Sequence, residues 1–107
     1  MNKRYIQEVE DMIIRVARGS TAMQICVFQE KLNFAKYALF LYDIEKETTV
    51  ILDFFNTKEG ARLELDRCKR KVWPKDRYEH IDSFNEYFSF KDADGFYRAY
   101  VGSIYEE

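Results

Sequence analysis

The chain has 107 residues, 47% hydrophobic and 34% charged, the make-up of a folded domain rather than a disordered segment, and its length predicts one domain over residues 1–107. Its net charge of −2 argues against a uniformly basic nucleic-acid binder. Two cysteines, one histidine and no CxxC spacing argue against a disulfide scaffold or a zinc centre.

Residues 3–18, "KRYIQEVEDMIIRVAR", are predicted as a helix. Ile6, Val9, Ile13 and Val16 recur at helical spacing. Asn2 is the expected N-cap and Gly19 the expected stop. The opposite face carries Glu8, Asp11, Arg15 and Arg18.

Residues 22–29, "AMQICVFQ", residues 37–43, "YALFLYD", and residues 48–55, "TTVILDFF", are rich in strand formers and read as a three-stranded meander. The second is apolar on both faces, as a central strand is. Between the first two strands the pattern is ambiguous. Phe28, Leu32, Ala35 and Leu39 also fit a helix, so residues 28–39 are open between strand with turn and helix.

Helical period returns over residues 57–72, with Thr57 able to cap and Ala61, Leu65, Cys68 and Val72 in one stripe. Pro74 ends it, because proline lacks the amide hydrogen and restricts the residue before it. Residues 78–85 suggest a short turn or helix. "EYFSFK" and "FYRAYVG" flank "DADG", a hairpin signal. The fold expected is therefore α+β, in the order α-β-β-β-α-β-β, one antiparallel sheet with two helices packed on one face. The first five elements are similar in order to double-stranded-RNA-binding domains, but the second helix opens "TKEGARLE" and lacks the basic motif found there.

Charge is unevenly spread along the chain. Residues 62–77 carry +4 and residues 78–107 carry −5. The cations Arg67, Lys69, Arg70, Lys71, Lys75 and Arg77 gather where the second helix ends, and there they complement the helix dipole without any ligand. The same cations could grip phosphates, with Trp73 or Tyr78 as a stacking face. His80 stands between Glu79 and Asp82 and is the one candidate general base. Asp92, Asp94 and Gly95 resemble the start of a calcium loop, but further oxygen ligands and the closing Glu are missing. Cys26 and Cys68 fall on predicted core faces, as small hydrophobes. No metal site and no cofactor motif is expected.

The last strand is apolar on both faces, with Phe96, Tyr100 and Ile104 on one and Tyr97, Val101 and Tyr105 on the other. Cover on the second face could come from a helix or from another molecule. The reading expected is a non-catalytic protein-binding domain. In size, charge and build it resembles small inhibitors, immunity proteins and phage anti-defence proteins, a likeness of type without a shared motif. Its contact surface would combine Tyr97, Tyr100 and Tyr105 with Glu86, Asp92 and Asp94, facing another protein or a second copy of the chain. The alternatives are a nucleic-acid-binding module using residues 67–77 and a small enzyme using His80. The longest apolar run, "YALFLY", is too short to span a membrane. With no signal-peptide pattern, the expected location is the cytoplasm.

Overall fold

The computed structural model describes residues 4–72, 79–84, 86–91 and 93–106. Its elements are α1 (Gln7–Gly19), α2 (Ala22–Phe34), β1 (Tyr37–Asp43), β2 (Thr48–Phe55), α3 (Lys58–Val72), β3 (Glu79–Phe84), β4 (Tyr87–Lys91) and β5 (Phe96–Ser103). The fold is α+β, and the five strands form one antiparallel sheet in the order β2-β1-β5-β4-β3.

Six expected elements stand: α1, β1, β2, α3 and the two strands of the β4–β5 hairpin. Two do not. Residues 22–29 are not a strand but the first part of α2, so the meander reduces to the β1–β2 hairpin. Residues 79–84 form a strand rather than a turn or helix, because β4 offers them a free edge to pair with. With two helices before β1, the likeness in order to double-stranded-RNA-binding domains disappears.

Helix α1 begins at Gln7, later than expected, because residues 4–6 are committed elsewhere. Tyr5 forms a bridge with Tyr105, the Ile6 amide donates to the Ile104 carbonyl at 2.9 Å, and the Glu106 amide donates to the Arg4 carbonyl at 2.7 Å. The expected cap Asn2 lies outside the described residues, as does Pro74. Helix α2 starts on a capping box. The Thr21 amide donates to Gln24 Oε1 at 2.9 Å and the Gln24 amide to Thr21 Oγ1 at 3.3 Å, which satisfies two donors that a helix start leaves open. The β1–β2 turn is set by Asp43, whose Oδ1 accepts from the Glu45 and Lys46 amides at 3.1 and 3.0 Å.

The core has two halves, one on each side of the sheet. Val9 of α1 and Leu32 of α2 bury against Ala38, Phe40, Ile51 and Ile104. Ala61 and Leu65 of α3 bury against Leu39, Phe88, Ala99 and Val101. Two helices therefore do share one face, but they are α1 and α2; α3 lies on the other. Alternating side chains of β1 and β5 feed both halves, as the period-two geometry of strands requires. β5 is thus a central strand covered from within on both faces, and its two-sided apolar pattern needs no outside molecule. The Ala61, Leu65 and Cys68 stripe faces the core as expected; the Val72 side chain is outside the description.

Candidate functional site

The residues expected to form a contact surface are spread over the molecule. Tyr100 lies on the α1–α2 face, half-buried and stacked on Phe40 with centroids 4.9 Å apart, and burial pushes its phenol pKa up. Tyr97 points to the opposite face, tilted against Phe90 at 5.4 Å. Tyr105 stacks on Tyr5 at 5.2 Å. Glu86 and Tyr105 both line a hollow of about 480 Å³ beside the start of α3. The Glu86 carboxylate is held there by Lys58 Nζ at 2.6 Å and Arg62 Nη2 at 2.5 Å, and these two cations lower its pKa. Asp94 stands in the β4–β5 turn, and Asp92 lies outside the described residues.

The basic segment ends α3 as the sequence suggests, but part of it is matched by carboxylates one turn back. Arg67 pairs with Glu64, and Arg70 with Asp66 at 3.3 Å. The Arg67 guanidinium holds the Glu64 carboxyl below its usual range. Trp73, Lys75, Arg77 and Tyr78 fall outside the described residues, and so does the His80 side chain; the His80 backbone, in the edge strand β3, pairs with Phe90 of β4. Among the described residues no group of histidine, cysteine or acidic side chains could hold a metal ion. Nor is any described helix long and apolar enough to cross a membrane.

The strongest surface feature lies elsewhere, on α2. On a helical wheel Leu32, the one buried residue of α2, points inward, with Phe28 beside it. Met23, Val27 and Phe34 recur on the opposite side, at spacings of four and seven that keep them in one narrow stripe. They are 78%, 52% and 73% exposed. Cys26, expected in the core, stands at the edge of this stripe and is exposed, whereas burial raises the pKa of the Cys68 thiol.

Beside the stripe, between α2 and the edge strand β2, runs a groove of about 380 Å³, lined by Met12, Met23, Val27, Phe28, Leu52 and Phe54. A bulge shapes it. Leu39 pairs with Asp53 but Phe40 pairs with Ile51, so Leu52 is the extra residue. The bulge turns Leu52 to the helix side next to Ile51; Ile51 enters the core and Leu52 stays 49% exposed in the groove, an example of a bulge re-aiming a side chain. Lys31 closes one end, its Nζ 3.4 Å from Asp53 Oδ1.

Sequence reasoning missed this surface because it placed residues 22–29 in a sheet. The signal that finds the helix is "TAMQ", a Thr three residues before a Gln. Compared with family models, with curated proteins and with solved structures, the chain finds no match.

Proposed function

We propose that the protein is a non-catalytic binding domain that acts by direct contact with another protein molecule, in the manner of a small inhibitor, immunity or phage anti-defence protein. The outward stripe of α2 carries this reading. A helix that packs on a sheet ordinarily turns charged and polar side chains to water. Here Met23, Val27 and Phe34 are turned to water instead, beside an apolar groove. Exposed apolar area of this kind, interrupted on its face by Glu30 alone, is the mark of a contact surface. The two methionines at the groove add side chains that adapt to a partner's shape. A reducing cytoplasm suits the reading, since Cys26 and Cys68 are both free thiols.

The test is capture from an extract of the native host on the immobilised protein. Val27→Glu and Phe34→Glu serve as controls, because both positions are exposed, and circular dichroism checks that each variant keeps the parent's fold. A protein retained in stoichiometric amount by the parent and lost by both controls supports the reading. Equal capture by the controls moves the surface elsewhere. Salt-sensitive capture of RNA or DNA, lost in the Arg70→Gln, Lys71→Gln double variant, replaces protein binding by nucleic-acid binding.

A further inference from the structure

We infer that the hollow beside the start of α3 is a binding site for an uncharged sugar ring, whose neighbouring hydroxyls bridge Glu86 and Lys58. The site is separate from the α2 surface, since none of its lining residues belongs to α2.

The walls come from distant parts of the chain. Tyr37 opens β1, Lys58 opens α3, Glu86 precedes β4 and Ser103 ends β5, with Tyr105 and Glu106 just beyond. The sheet register fixes this meeting, because Tyr37 pairs with Ser103. Glu86 is held twice. Its backbone carbonyl accepts from the Val101 amide at 2.8 Å. Its carboxylate is the one hydrogen-bond partner of the Arg62 guanidinium among the described residues, and Arg62 Nε is buried with none. Moving Glu86 away would leave that part-buried cation without compensation, so the carboxylate stays in place. Ser103 Oγ accepts from the Tyr105 amide at 3.2 Å and holds the end of the wall. The polar groups are therefore set before a ligand arrives, which favours binding.

What stays open decides the ligand. Lys58 and Arg62 both bond Glu86 Oε1, so Oε2 keeps its acceptor sites. The Lys58 ammonium has three donors and uses one on Glu86. An acceptor and a donor thus stand side by side next to Oε1. Among the described residues the Tyr37 hydroxyl has no hydrogen bond.

The charges of the walls are already matched. Glu86 faces two cations, and Glu106 lies 3.9 Å from the Arg4 guanidinium. An anion would have to compete with Glu86 for Lys58, and a cation with Lys58 and Arg62 for Glu86. An apolar ligand would cover Lys58 and Glu86 without offering them partners, which is unfavourable. A hydroxyl meets none of these objections, because it both donates and accepts. Two adjacent hydroxyls match the open pair: one donates to Oε2 and its neighbour accepts from Lys58 Nζ. The Tyr37 hydroxyl serves a third. Tyrosine rings, apolar in body and polar at the tip, suit the C–H face of a sugar. At about 480 Å³ the hollow lies within the roughly 300–1,000 Å³ of small-molecule sites.

Amide chemical shifts of the isotope-labelled full chain test this, during titration with a panel of neutral hexoses and disaccharides. At least one sugar is expected to shift the amides of Tyr37, Glu86, Gly102 and Ser103. The expected dissociation constant is on the order of 1 mM, the strength of a ligand of about twelve heavy atoms at ordinary efficiency. A hexose that binds as tightly as its disaccharides supports a single free ring as the ligand; tighter binding of a disaccharide supports the end of a longer glycan. Tyr37→Phe removes one hydroxyl, keeps the ring and is expected to weaken binding roughly two- to tenfold. Glu86→Gln loses the charged acceptor and is expected to weaken it by roughly tenfold or more. The dispersion of amide shifts in each variant checks that the fold is kept. No shift of these amides by any sugar up to about 50 mM overturns the inference. So does sugar binding that both variants leave unchanged. If acetate, inorganic phosphate or methylammonium shifts the same amides at lower concentration than every sugar, the hollow takes an ion and the sugar is wrong.

Discussion

Leu65 of α3 is 3% exposed between Leu39 and Val101. Leu65→Ala is expected to cost about 2–5 kcal/mol in urea or thermal unfolding, the range for a buried leucine that leaves a cavity. On the other side of the sheet, Gly102 permits the Phe40–Tyr100 stack. A Cβ placed there would stand 3.1 Å from Phe40 Cε2, closer than a relaxed carbon contact. Gly102→Val should therefore cost roughly 1–3 kcal/mol by overpacking, read from the same unfolding curves. Glu86 gives a pH signature. Lys58 and Arg62 lower its folded pKa, so its contribution to stability is present above the unfolded carboxyl value of about 4.3 and fades as pH falls through the folded value. The parent should melt above Glu86→Gln at neutral pH, with the gap closing as the solution is acidified below about pH 4. A gap that is constant with pH would mean that Glu86 acts through its shape and not its charge.

At the scale of elements, α2 starts on a full capping box where α1 has no side-chain cap. Both hydrogen bonds of the Thr21–Gln24 box are made, whereas α1 starts at Ile6 without a side-chain cap. Thr21→Ala is expected to destabilise the protein by about 1 kcal/mol. The end of α3 behaves in the opposite way. Arg70 is an exposed partner of Asp66, and converting Arg70 and Lys71 to Gln should shift stability by no more than about 0.5 kcal/mol. Which elements were legible follows from what each residue pattern can encode. Strands β1 and β2 and helix α3 show their own periods, and "DADG" marks the last hairpin. Helix α2 hides its period because Leu32 and Phe28 are apolar on one side and Met23, Val27 and Phe34 on the other; apolar residues on opposite sides imitate a strand buried on both. β3, "EHIDSF", has little strand character of its own and is a strand because β4 is beside it. The candidate surface could not be seen in the sequence, since exposure of Met23 and Phe34 is decided by where α2 lies over the sheet. The spread of Tyr97 and Tyr100 to opposite faces was legible from their odd spacing.

For the whole molecule, the sheet order governs how stability is distributed. β1 and β5 pair on both edges and lie between the helix layers. Their amides should exchange slowest, at rates set by global unfolding, and those of β2 and β3 at the edges faster. Hydrogen exchange read residue by residue checks this, and uniform protection across all five strands would contradict it. The position of β5 has a consequence for the order of assembly as well. Residues 96–103 enter the sheet between β1 and β4, although β1 was synthesised more than fifty residues earlier. Until they emerge from the ribosome, β2–β1 and β3–β4 are two separate hairpins, each with an unpaired inner edge, and α3 has only part of the surface it will bury against. A polypeptide stalled before Phe96 is thus a sticky half-product rather than a shorter domain. Joining distant segments must precede most of the reward, which places refolding in the millisecond-to-second regime of sheets built from long-range pairings. The nascent protein relies on the speed with which its last strand is inserted, and chaperone demand should fall sharply once that segment is clear of the exit tunnel.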